Sequence, residues 1–157
     1  MDIYLMQHGV ATSEDEDPTR PLTPAGRADV ERVASRALAA GVRIDLCVHS
    51  GKVRAEQTAR ILADAIGADV QSRAGLNPSD HVQLIADWLL EQAQISPDGA
   101  IAVVGHLPFL DRLTSLLVAG DEGAHVVRFQ NAGLVRLVPK QAALGYAVAW
   151  ILSPALA

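Results

Sequence analysis

Three short runs dominated by apolar residues, Ile3 to Met6, Ile44 to His49 and Ala100 to Gly105, constrain this chain more than any other feature. Each is too brief for an ordinary helix and reads as a strand, the first buried on both faces and the last buried as well. Between them lie longer stretches with apolar residues at helical spacing. Val30, Val33, Ala34, Ala37 and Leu38 mark one such stripe, entered through Thr23 as N-cap and Pro24 at the first helical position. Gly41 ends it as a left-handed cap. Ala55, Ala59, Leu62 and Ile66 form a second stripe running to Gly67. Val82, Ile85, Ala86 and Leu89 form a third, with Trp88 at its flank, after the turn Gly75 to His81. Leu110, Leu113, Leu117 and Val118 form a fourth. Asp69 to Arg73 reads as a short extra strand. Ala124 to Phe129, Leu134 to Val138 and Tyr146 to Leu152 read as further strands, the last of them buried. The order βαβαβαβα, closed by strands, predicts an α/β fold: a mostly parallel sheet covered by helices on both faces, with a late antiparallel strand.

The polar residues at the ends of the runs carry the chemistry. Ile3 to Met6 leads to Gln7-His8-Gly9, Ala100 to Gly105 leads to His106, and Ile44 to His49 leads to Ser50-Gly51-Lys52-Val53-Arg54. In a parallel sheet these C-terminal strand ends share one edge, where ligands bind in open α/β folds. Gly9 permits a sharp turn or a close approach to backbone. Ser50 to Arg54 sits at a strand-to-helix junction, with Ser50 the N-cap candidate, and a helix start with Lys52 and Arg54 suits a phosphate. Two histidines and an arginine at one edge suit phosphoryl transfer to an imidazole nitrogen, which splits one hard displacement into two easier ones. Arg54 would clamp the phosphoryl oxygens and His106 would donate to them from the other side. Arg20, in the loop after His8, is placed to fold back over that turn.

Composition removes other classes. With 157 residues, one domain with a single core is expected. Lys and Arg number 13 against 18 Asp and Glu, a balance that argues against a general nucleic-acid binder and leaves room for a local basic pocket. Cys47 is the only cysteine, which excludes an internal disulfide and a cysteine zinc site and fits a reducing, cytoplasmic setting. Asp2 and the absence of a basic n-region argue against a signal peptide. The apolar segment Ala142 to Ala157, broken by Gly145, Ser153 and Pro154, is shorter than the about 20 residues a membrane span needs. Glu14-Asp15-Glu16-Asp17 lacks the spacing of a calcium loop and reads as solvated.

Four motifs, in order, resemble the histidine phosphatase superfamily: Leu5-Met6-Gln7-His8-Gly9, Arg20-Pro21-Leu22-Thr23-Pro24-Ala25-Gly26, Arg54-Ala55-Glu56-Gln57-Thr58-Ala59 and Gly105-His106-Leu107-Pro108. Within its phosphoglycerate mutase-like branch the chain looks like the short phosphohistidine phosphatases of the SixA type. That resemblance implies a three-layer αβα sandwich over residues 1–157 without a cap insertion, and neither metal nor other cofactor. It implies His8 as the phosphate-accepting nucleophile and Arg54 and His106 as its partners. Gln7, Gly9, Arg20, Ser50 and Lys52 are expected to line the phosphate site. The expected partner is a phosphohistidine protein or a small phosphorylated molecule.

Two positions depart from the family pattern. Its Arg-His-Gly reads Gln7-His8-Gly9 here, so a charged fork is replaced by a neutral amide. That change leaves a second reading open, a phosphate- or phosphoprotein-binding protein with little or no turnover. The acid that follows Arg-His-Gly in many phosphomonoesterases of this superfamily is Val10 here. Asp80, in the loop Leu76 to Asp80, is the remaining acid candidate, weighed against a first-turn helix residue. A weak acid would favour a phosphoramidate, whose nitrogen can leave protonated.

Overall fold

A computed structural model of the chain describes residues 1–141 and 144–157; Ala142 and Ala143, at the start of the apolar C-terminal segment, lie outside the described residues. The elements run β1 (Asp2–Gln7), α1 (Pro24–Ala39), β2 (Leu46–His49), α2 (Val53–Ile66), β3 (Asp69–Ser72), α3 (Val82–Ile95), β4 (Ala100–Gly105), α4 (Phe109–Ala119), β5 (Leu134–Pro139) and β6 (Tyr146–Leu152). The sheet order is β3-β2-β4-β1-β5-β6. β3, β2, β4 and β1 pair in parallel, and β5 pairs antiparallel with both β1 and β6. β1 and β4 keep register to their ends, with Gln7 opposite Gly105.

Strand alternation sorts the core into two halves. Ile3 and Leu5 of β1 and Ile101 and Val103 of β4 pack with Ile85, Leu89, Leu110 and Leu113 of α3 and α4. Tyr4 and Met6, with Ala102 and Val104, face Val30, Val33, Ala59 and Leu62 of α1 and α2. The helices therefore cover both faces, as the alternation of elements predicts, and β4 is buried along its whole length. The α/β class and the single late antiparallel strand stand as expected.

Several local expectations change. Ala124 to Phe129 forms no strand, although His125-Val126-Val127-Arg128-Phe129 has strand-like composition. β5 already occupies the place beside β1, so this stretch runs over α4, where Val126 N–H donates to Ser115 Oγ. β6 is an edge strand with alternate residues exposed, not a buried one. Leu38, counted on the inner stripe of α1, is 52% exposed. The N-cap of α2 is Lys52 rather than Ser50, and α3 begins at Val82, beyond Asp80. Among the described residues, no helix is long and apolar enough to cross a membrane.

Candidate active site

β2, β4 and β1 are neighbours, so their C-terminal ends bring Ser50, His106 and His8 onto one edge with β4 in the middle. The His8 and His106 rings lie 5.0 Å apart, tilted by 56°. Arg54 comes from the first turn of α2, and its Nε donates to His8 Nε2 at 3.2 Å. Ser50 Oγ lies 2.6 Å from His106 Nε2.

The chemistry of its partners decides the tautomer of His8. Nδ1 lies 2.7 Å from the Gly9 carbonyl oxygen, which can only accept, so Nδ1 carries the proton. Nε2 is then the bare nitrogen, and it faces Arg54. Burial lowers the His8 pKa, and the Arg54 and Arg20 charges lower it further, against the hydrogen bond to Gly9. For His106 burial is again the largest cause, followed by His8, Arg54, Lys52 and Arg20, and the pKa falls to about 3. Both imidazoles are therefore neutral near pH 7, and Arg20, Lys52 and Arg54 supply the positive charge of the edge. That is a field suited to an anion.

The turn that presents His8 is held by residues with no assigned role in the sequence reading. Thr58, one turn along α2 from Arg54, takes the Gly9 N–H on its Oγ1 at 3.1 Å and donates to the Arg54 carbonyl at 2.7 Å. Asn131 Nδ2 donates to the His8 carbonyl at 2.8 Å, and Ala132 N–H donates to the Gln7 carbonyl at 2.9 Å. Gln57 Oε1 accepts from Leu22 N–H, joining α2 to the loop after Arg20. Gln57 and Thr58 stand inside the third motif, whereas Asn131 and Ala132 lie outside all four.

Gly9 serves the packing of the chain itself: a Cβ there would stand 2.8 Å from the Gly26 carbonyl oxygen and from Val30 Cγ2. Its N–H is occupied by Thr58. Gly26 is tighter still, since a Cβ would come within 2.1 Å of the Val10 carbonyl oxygen. The start of α1 thus crosses directly over the His8-Gly9-Val10 turn, clamped by Thr23 N–H to the Val10 carbonyl.

Arg20 adopts left-handed backbone at φ 52° and donates from Nε to the Thr12 carbonyl. Gln7 Oε1 is buried without a hydrogen-bond partner. Asp80 Oδ2 accepts from Asn77 N–H at 2.8 Å, closing its own loop. A cavity of about 480 Å³ opens at the opposite end of the strands, among Met1, Tyr4, Arg43, Arg136 and Trp150. It holds neither histidine of the edge just described.

The lowered pKa values give a stability signature. Unfolding restores each histidine to about 6.5, so below that pH the unfolded chain binds more protons than the folded one. The contribution of His106 is complete above pH 6.5 and is lost as pH falls from there toward about 3. Between pH 7.5 and 5.5, where carboxylates stay ionised, the urea midpoint is expected to fall. His106→Gln should flatten that slope, and an unchanged slope would mean that His106 titrates normally.

The family model described as histidine phosphatase superfamily (branch 1) matches residues 3–85. An uncharacterized protein of Picosynechococcus sp. is 33% identical over 141 residues, covering 87% of this chain and 84% of its own. The phosphohistidine phosphatase SixA of Escherichia coli is 29% identical over 125 residues, 77% of this chain and 76% of that one. The structure of the protein histidine phosphatase SixA complexed with tungstate has a TM-score of 0.84 at 24% identity, over 99% of this chain and 98% of that one, so the fold is shared. The motif segments that bring His8 and Arg54 together fall inside the stretch matched by the family model, and the chain belongs to branch 1 of the histidine phosphatase superfamily.

Proposed function

We propose that the protein is a phosphatase that transfers a phosphoryl group to His8 Nε2 and then to water, with phosphohistidine on a partner protein as its substrate. The observation that carries this reading is the His8 ring itself. Its Nδ1 proton is committed to the Gly9 carbonyl, so a lone pair remains on Nε2 at an edge charged by Arg20, Lys52 and Arg54. In the first step Nε2 bonds to phosphorus while the bond from phosphorus to the substrate nitrogen breaks; the substrate ring, protonated beforehand by solvent on its other nitrogen, takes the electron pair and leaves as neutral imidazole. In the second step a water oxygen bonds to phosphorus, the Nε2 bond breaks, and inorganic phosphate leaves. Arg54 moves from the lone pair to the phosphoryl oxygens, where its charge and His106 stabilise the transition state.

A phosphoramidate suits this edge because Asp80, the one acid candidate, has Oδ2 tied to the Asn77 N–H of its own loop. The shared fold with a SixA solved with tungstate, and kinship to a phosphohistidine phosphatase, support the same reading. A domain of residues 1–157 without a cap would leave the edge open to a protein substrate. The test is to mix the protein with a phosphohistidine protein and, separately, with a small phosphoester, quenching in alkali, where phosphohistidine survives. Label on His8 within one turnover, and faster release from the phosphoramidate, is the expected result. Turnover without label on the protein would overturn the mechanism.

Gln7 favours a second reading, a phosphate-binding protein that turns over little. Its amide oxygen is buried without a hydrogen-bond partner, and it contributes no charge where the family has arginine. Gln7→Arg is therefore expected to raise turnover on a small phosphoester roughly tenfold to a hundredfold, the worth of one charge-assisted pair. It should also lower stability slightly without phosphate, because it adds a cation near Arg54 and Arg20. A folded Gln7→Arg that binds phosphate more tightly yet releases none would establish the binding protein.

A further inference from the structure

The shortest hydrogen bond at the edge belongs to a residue that local sequence assigns to helix capping. Ser50 Oγ lies 2.6 Å from His106 Nε2, whereas the Lys52 nitrogen it would cap is 3.5 Å away. His106 is 2% exposed, and its Nδ1 is buried without a partner. Ser50 is thus the one hydrogen-bond partner of that ring among the described residues.

We propose that Ser50 is a positioning residue: in the free protein its hydroxyl accepts the Nε2 proton of His106 and holds the ring in one tautomer and one rotation, so that the same N–H is presented to phosphoryl oxygen when the anion arrives. The proposal rests on the reading of this edge as a phosphoryl-transfer site. The tautomer follows from the partners of the ring. A proton on Nδ1 would be a buried N–H with no acceptor among the described residues, so the single proton of the neutral ring goes to Nε2, where Ser50 Oγ takes it. The backbone presets the hydroxyl. Ser50 directly follows β2, and Gly51 turns the chain at φ 82°, a conformation that a residue with a Cβ rarely adopts. With the Nε2 proton accepted, the hydroxyl hydrogen of Ser50 remains available as a second donor to an arriving anion.

Without Ser50 the ring would keep its burial and lose what distinguishes its two nitrogens. A donor that is correct only part of the time lowers turnover more than binding, because its worth is realised in the transition state.

The experiment uses the whole protein with ¹⁵N-labelled histidine, at pH 7, with and without inorganic phosphate. Two-bond and three-bond correlations within the ring report which nitrogen carries the proton. The parent is expected to show His106 as a single Nε2–H tautomer. Ser50→Ala should give shifts averaged between tautomers, and Ser50→Thr should restore the parent pattern. Ser50→Cys, which keeps the shape with a much weaker hydrogen bond, serves if the alanine variant does not fold. In kinetics Ser50→Ala should lose about tenfold in kcat, the worth of one ordinary hydrogen bond, while KM moves far less and Ser50→Thr recovers most of the loss. A single unchanged tautomer in Ser50→Ala or Ser50→Cys overturns the proposal whatever the activity. Averaged shifts with unchanged kcat overturn it for the reaction. Expected shifts in a protein whose parent form shows no turnover would uphold the positioning of His106 and refute the phosphatase reading instead.

Discussion

His8→Ala is expected to reduce turnover at least about ten-thousandfold, a loss of the size seen when a covalent nucleophile is removed, while phosphate binding survives. The two outcomes separate because the anion field does not depend on His8. Arg54, Lys52 and Arg20 keep their charges, and Arg54 is released from the lone pair it caps in the free protein. Phosphate affinity should therefore stay within a few-fold of the parent, or rise. The turn should also hold, since Gly9 N–H remains on Thr58 and Asn131 still takes the backbone carbonyl of residue 8. Calorimetry with inorganic phosphate beside single-turnover kinetics gives both numbers. Phosphate release by His8→Ala at the parent rate would remove the covalent route. Loss of binding and turnover together would mean that His8 builds the pocket rather than attacks within it.

Gly26→Ala carries the largest expected cost to stability, about 3 kcal/mol, the upper range for forcing extra atoms into a packed site. A gain from helix propensity, up to about 1 kcal/mol for Gly to Ala, would ordinarily favour the change. Here it loses, because the new methyl group would meet main-chain atoms of Val10 at 2.1 to 2.8 Å. Backbone cannot swing aside as a side chain can, so α1 must lift off the turn after His8. For a chain of this length the melting temperature should drop by about 6–12 °C. Turnover should fall as well, because the displaced strand end is the one that presents His8. Thermal denaturation at neutral pH checks the first claim. An unchanged melting temperature would mean that the helix start and the turn are looser than their contacts indicate.

The features legible in the sequence were those set by local pattern. Continuous apolar runs at 3–6 and 100–105 could only be central strands, and a His after each had to lie on one edge once the sheet was parallel. Arg54 at a helix start was legible for the same reason. What stayed hidden depends on partners distant along the chain. Ser50 reads locally as a cap, yet its hydrogen bond is to His106, 56 residues away. Thr58 and Asn131 support the His8 turn across 49 and 123 residues. Gly26 reads as a flaw in a helix until the crossing of Val10 is known. The stretch 124–129 has the composition of a strand, but the place beside β1 is taken by β5, and composition alone carries no record of which places are filled.

Ser50 and Arg54 share one short stretch of backbone between β2 and the first turn of α2, and each of them occupies one of the two imidazoles. Neither ring can lose its partner through movement of that stretch without the other being disturbed as well. The junction acts as a common handle, and its pivot is Gly51, the left-handed residue next to Ser50. Damage there would register at His8 and at His106 together, a paired fault that no residue on β1 or β4 alone would produce.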